Sequence, residues 1–241
     1  RSLPETVRVA AHDTHDACAL MFALLLDDMN DAIRERQLEQ VEEFFGEHMV
    51  SATARLQGPV IELDPRAKLP VADLAVGALK QLSPDQYESF IHVMDALATA
   101  DEQLDLFEFS LSKLVVRHLE PRFTDVPKKV AQVYSLKRVG SECSMLISSL
   151  ACAAGEDEET IREAYEAGAA QLTSATEIRQ VPAKECGLDQ LEGALEKLSD
   201  VAPNLKRHLI EAAAATVSAD GFLQIEEAEL LRAISDSLDC P

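Results

Sequence analysis

The chain has no tryptophan, nine glycines and ten prolines, and only 5% of its 241 residues are aromatic. So little glycine and proline leaves no room for a collagen-like or low-complexity chain, and the prevalence of Ala, Leu and Glu is helix-forming composition. Cations are also scarce. Against 43 Asp and Glu there are 22 Lys and Arg, a formal net charge of −21. Binding to nucleic acid rests largely on Lys and Arg neutralising phosphates, and the densest basic stretch here, around Lys128, Lys129, Lys137 and Arg138, is short. No nucleic-acid partner is expected, and an acidic surface does not favour an anionic leaflet. No apolar run approaches the roughly 20 residues that span a bilayer, so no direct membrane insertion is expected, and the start of the chain has no signal-peptide pattern. The five cysteines (Cys18, Cys143, Cys152, Cys186, Cys240) are odd in number, scattered and never in a CxxC pair, which fits free thiols better than a disulfide framework.

What is present is a globular share of apolar residues, 47%, spaced three or four apart almost throughout, with period-2 alternation nearly missing. The fold class expected is all-α, with about eleven helices. One helix is expected after Asp13 or Thr14 to Asp27-Asp28, and one from Asp31 with Ile33, Leu38, Val41 and Phe45 on one stripe. Gly58-Pro59 to Pro65 reads as a loop because its prolines remove donors. Ser83-Pro84 reads as a capped helix start. A helix after Asp105 is expected to end near Pro121, another to run from Pro127 to Val139, and one to follow Ser141. After the acidic tract Glu156–Glu159 comes a helix with Ile161, Tyr165 and Leu172. Thr173 to Gly187 reads as the longest loop, before helices over 188–198, 203–218 and 225–238.

An internal repeat organises this series. Ala98-Thr99-Ala100-Asp101-Glu102-Gln103-Leu104-Asp105-Leu106-Phe107-Glu108 aligns without gaps on Val217-Ser218-Ala219-Asp220-Gly221-Phe222-Leu223-Gln224-Ile225-Glu226-Glu227, a spacing of 119 residues between Asp101 and Asp220. It implies two tandem helical units, 1–124 and 125–241, packed as one bilobed body. Asp220-Gly221-x-Leu223-x-x-x-Glu227 has the shape of the later half of an EF-hand loop, but Thr216 and Ser218 stand where that loop wants Asp or Asn, and Leu97 and Thr99 in the first copy. Helix capping, with Asp105-x-x-Glu108 as a capping box, is therefore favoured over cation binding. If a divalent cation is held weakly, Asp220, Glu226, Glu227 and Glu229 are the metal ligands expected, joined by Asp101, Asp105 and Glu108.

The pattern apolar-Ala-Asp-Gly-x-Leu-x-x-x-Glu resembles the signature of TerB-like domains, all-helical modules named for tellurite-resistance proteins. More widely, Ala19–Asp28, Arg36-Gln37-Leu38, Ala96–Asp101 with Phe107-Glu108-Phe109, Arg117-His118-Leu119 and Ala228–Ile234 resemble the region that follows the catalytic domain in some bacterial membrane zinc metallopeptidases of the CAAX prenyl protease and HtpX class. That class needs HExxH, which is missing here; Glu47-His48 is in the wrong order, so no catalytic or zinc-binding residue carries over. The resemblance implies a noncatalytic accessory or regulatory domain, on the cytoplasmic side and tethered to the inner membrane in the full-length protein. Its partner would be another protein or its own membrane-bound catalytic domain, and zinc would belong only to that domain. The alternative is a free-standing divalent-cation-binding stress protein of the tellurite-resistance type.

Smaller constellations read mostly as structure. His12 and His15 beside Asp13 and Asp16 sit at a helix start, where caps are ordinary. Glu88, His92 and Asp95 share a helix face and are the sole basis for a carboxylate-bridged metal enzyme, but the partner-helix copies of that arrangement are missing, and an ion pair of Glu88 with His92 is favoured. His118 and His208 read as core-edge residues, and Cys143 and Cys152 as small core residues.

Overall fold

A computed structural model of the chain describes residues 3–101, 106–124, 131–155, 157–221 and 224–240, the side chain of Glu226 excepted. The described residues form twelve α-helices, two short 3₁₀ turns and no strand, so the fold is all-α. None of these helices is long and apolar enough to cross a membrane. The chain divides into two compact units, Arg1–Asp125 and Val126–Pro241.

The first unit holds α1 (Glu5–Ala10), α2 (Thr14–Leu25), α3 (Asp31–Phe45), α4 (Glu47–Ile61), α5 (Pro65–Leu79), α6 (Pro84–Ala98) and α7 (Leu106–Phe123). From Ala17 to Leu25 every residue of α2 is buried. A helix apolar on all sides belongs in a core, and α2 has α1, α4, α5 and α6 packed around it. Its Phe22 lies 5.4 Å from the Phe45 ring and 5.6 Å from the Phe90 ring. Asp13 starts α2 by accepting the Asp16 amide (3.0 Å), and Asn30 starts α3 through the Ala32 and Ile33 amides. At the start of α6, Ser83 and Gln86 form a reciprocal capping box ahead of Pro84.

The second unit holds α8 (Gly140–Ala153), α9 (Glu158–Leu172), α10 (Leu188–Leu198), α11 (Pro203–Val217) and α12 (Ile225–Ser237), with 3₁₀ turns at Leu136–Val139 and Ala183–Glu185. Among the described residues, several of its helix contacts correspond to ones in the first unit, while α8 also packs on α9 and α12, where α2 has no comparable contact with α3 or α7. The helix α8 touches α10 and α11 as α2 touches α5 and α6; α9 touches α11 as α3 touches α6; and α12 touches α10 and α11 as α7 touches α5 and α6. The helix α4 has no helical counterpart, because residues 173–187 form one short 3₁₀ turn and otherwise no regular structure.

Two expectations need correction. The loop over Gly58–Pro65 shrinks to Glu62–Asp64, because Pro59 falls in the last turn of α4, where it removes one bond, and Pro65 is the first residue of α5 under an Asp64 cap. The helix from Pro127 to Val139 does not extend over 131–135. There the Gln132 and Val133 amides donate to the Asp200 carbonyl (2.9 and 3.2 Å), Val133 bridges Val201, and only Leu136–Val139 winds, as a 3₁₀ turn; residues 125–130 lie outside the described set. The helix expected to end near Pro121 does so, at Phe123.

Candidate functional site

The helix ends that lead into the two repeated turns have nearly the same geometry. Both α6 and α11 begin on proline, at Pro84 and Pro203. Their C-caps, Thr99 and Ser218, share φ of −107° with ψ of 10° and 15°. In each the hydroxyl donates four residues back, Thr99 to the Asp95 carbonyl at 2.8 Å and Ser218 to the Ala214 carbonyl at 2.7 Å. Gly221 follows with φ of +80°, a left-handed position that glycine takes without strain.

The proposed ligands are placed as follows. Glu227 is buried, and its carboxylate accepts the Gln224 amide at 2.7 Å in a capping box that opens α12. Asp220 is exposed and Glu229 half-buried; the Glu226 side chain and Asp105 lie outside the described residues. Asp220 and Glu227 line a cleft of about 70 Å³ with Thr160, Glu163 and Thr216, a space of water-molecule scale. Among the described residues, Asp220, Glu227 and Glu229 do not converge as a three-ligand group. Asp101 is exposed and Glu108 half-buried.

The group that does converge is Asp13, His15 and Asp16. Its oxygens are occupied: Asp13 caps α2, and Asp16 takes Arg55 at 2.8 Å and lies 3.2 Å from His15 Nδ1. His92 does not pair with Glu88; its ring rests on Phe44, centroids 4.5 Å apart. His118 lies 3.9 Å from Asp73, and His208 lies 3.4 Å from Glu211. Cys18 and Cys143 are buried, and burial pushes both thiols up to about 12.

A feature that periodicity does not reveal lies in the second unit. The helix α8 carries small residues at every fourth position, Gly140, Ser144, Ser148 and Cys152, and residues 176–182 lie along that stripe. The Arg179 amide donates to Ser144 Oγ at 3.0 Å and the Val181 amide to Ser148 Oγ at 2.9 Å. Four helical residues advance about 6 Å and two extended residues about 6.6 Å. The bonds can match in this register only if the strap is extended and runs parallel to α8. Gly140 is required at the near end, since a Cβ there would meet Thr176 Oγ1 at 2.9 Å and the Glu177 carbonyl at 3.0 Å.

Between this strap and α9 runs a groove. At one end a cleft of about 710 Å³ is lined by Ile161, Arg162, Gln180, Val181 and Pro182, and at the other a cleft of about 770 Å³ is lined by Lys137, Tyr165, Ala169, Thr176 and Ile178. Both are open depressions, far wider than the cleft at Glu227. Because alternate amides of an extended chain point to opposite sides, those of Ile178 and Gln180 are directed away from α8, and they have no partner among the described residues. The Tyr165 hydroxyl is likewise buried without a partner. Burial holds that hydroxyl above its ordinary pKa, so it stays protonated. Glu158, Glu159 and Glu177 stand along the groove.

Comparison of the chain with family models, curated proteins and solved structures finds no match.

Proposed function

We propose that this chain is a noncatalytic protein-interaction module whose ligand is an extended peptide segment lying along the groove between α9 and the strap. The observation that carries this reading is the pair of outward amides at Ile178 and Gln180 beside the apolar wall of Ile161, Tyr165 and Ala169. An extended peptide would pair with such an edge through its backbone and place alternate side chains against the apolar wall. The net charge of −21 favours a ligand with basic residues flanking apolar ones. Taken with the resemblance of the repeated turns to TerB-like domains, the reading places the chain as an accessory region that recruits or regulates clients of a membrane-bound zinc metallopeptidase, on the cytoplasmic side.

Two experiments test the two layers of this reading. Labelled ten-residue peptides with alternating apolar and basic residues should raise fluorescence anisotropy with the wild-type chain, and Ile161→Glu or Ala169→Glu should weaken the binding. If none of the library binds, or if these variants bind equally well, the groove is not the site. The coding sequence upstream of Arg1 tests the second layer. An in-frame HExxH segment with transmembrane helices is expected; a stop codon directly before Arg1 refutes the tether.

A further inference from the structure

The stripe that seats the strap ends at Cys152, and the strap itself ends at a second cysteine. After the 3₁₀ turn Ala183–Glu185 the Cys186 amide returns to the Ala183 carbonyl at 3.0 Å. The Cys186 sulfur sits 3.6 Å from the Val181 carbonyl and 3.5 Å from that of Pro182. On its other side it meets Ser149 and Cys152, two residues three apart on one face of α8. Both thiols are half-buried. The hydrogen bonds lead to the same neighbourhood: the Cys186 sulfur lies against the Val181 carbonyl, the Val181 amide is held by Ser148, and Cys152 stands one turn further along α8.

We propose that Cys152 and Cys186 are a redox-modification site, forming a reversible disulfide that fastens the strap to α8. The inference is independent of whether a peptide enters the groove. With glutathione disulfide as oxidant, one cysteine thiolate attacks a glutathione sulfur, and the first glutathione leaves as thiolate and takes up a proton. The second cysteine, deprotonated, then attacks the protein sulfur of the mixed disulfide and displaces the second glutathione. Two protein thiols and one glutathione disulfide become one protein disulfide and two glutathiones. Burial and the neighbouring Cys152 push the Cys186 thiol up to about 12. Closure is therefore slow near neutrality and accelerates as pH rises, because the thiolate is the attacking form. The cross-link joins the strap to its seat directly, so local opening of the strap becomes the motion it suppresses.

The test uses the full chain, reduced, freed of reductant and equilibrated with mixtures of oxidised and reduced glutathione. Intact mass should fall by two hydrogens. Trypsin cuts after Arg162, Arg179 and Lys184 between the two cysteines, so non-reducing peptide maps should show the two peptides joined; fragment-ion sequencing separates Cys152 from Cys143 on the shared peptide. Amide exchange at Arg179 and Val181 should slow by about tenfold or more on oxidation and recover on reduction. Cys186→Ser should abolish the bridge and leave exchange at these amides insensitive to oxidant. The proposal is overturned if Cys152 and Cys186 remain reduced or end as separate glutathione adducts. It is also overturned if the bridge that forms uses Cys240 or joins two chains, or if exchange in the strap does not change when the Cys152–Cys186 bridge forms. The wild-type map decides the matter even if the variant does not fold.

Discussion

Gln37 offers the sharpest test of how the first unit is held together. It lies on α3 and is 3% exposed, yet all of its side-chain polar atoms have partners. Its Nε2 donates to the carbonyl of Leu25, at the end of α2, at 2.8 Å, and to that of Leu97, near the end of α6, at 2.9 Å. Its Oε1 accepts the Asp27 amide at 2.8 Å. One amide thus joins three segments at helix ends, sharing the Leu97 carbonyl with the Ala100 amide at 3.4 Å. Gln37→Leu keeps the volume and removes all three bonds. At about 1 kcal/mol net per bond, with an added desolvation cost for backbone groups left buried and a partial hydrophobic offset, the loss should be about 3–5 kcal/mol. Urea unfolding followed by far-ultraviolet circular dichroism measures the total. Hydrogen exchange in α2, α3 and α6 against α9 and α11 assigns the loss to the first unit. A loss below about 1 kcal/mol, or one spread evenly over both units, would refute the idea that these bonds matter individually. Gln37→Glu sharpens the sign. A carboxylate facing two carbonyls has a raised folded-state pKa, so the penalty should be largest near neutrality and should shrink as pH falls through that value, where the acid can donate one bond.

Three further outcomes follow from local geometry. Gly168→Ala should cost about 1–3 kcal/mol by calorimetric or urea unfolding, since its Cβ would fall 2.0 Å from Thr216 Oγ1 and 3.0 Å from the Ala212 carbonyl; adding Thr216→Ala should recover part of the loss. Ser83→Ala should cost about 1 kcal/mol, read as a shifted urea midpoint with unchanged slope, because it removes the Gln86 amide's acceptor in the α6 capping box. Burial raises the Glu142 carboxyl, but hydrogen bonds from Lys197 (2.9 Å) and Ser141, with the Lys197 charge, outweigh it and hold the group below its ordinary value. A depressed carboxylate stabilises the fold above its unfolded pKa and loses that contribution as pH falls through the folded value. Lys197→Met should therefore flatten the acid limb of the second unit's stability profile. An unchanged limb would refute the assignment.

Much of the helical scaffold was legible because helix signals are local. Asp13, Asn30, Ser83 and Asp157 each cap the helix that follows, and proline opens α6 and α11. The repeat predicted like turns at Asp101 and Asp220, and the caps at Thr99 and Ser218 have nearly the same dihedrals. Glu227 was legible as a cap and also as a ligand, because one carboxylate at a helix start serves either chemistry; its burial against Gln224 shows the cap. Pro59 misled because a proline in the last turn of a helix removes only one hydrogen bond, and α5 likewise continues through Pro70.

The sequence alone determined the helical class of this protein, the stripes its helices bury, the position of the repeated turn and the poverty of cationic surface. Each depends on residue type and short spacing. Tertiary structure decided what the small stripe from Gly140 to Cys152 faces, which cysteines meet, and that residues 176–182 leave one polar edge beside α9. The reason is that the strap makes no bonds of its own periodicity. It takes its conformation from serines more than thirty positions away in the chain.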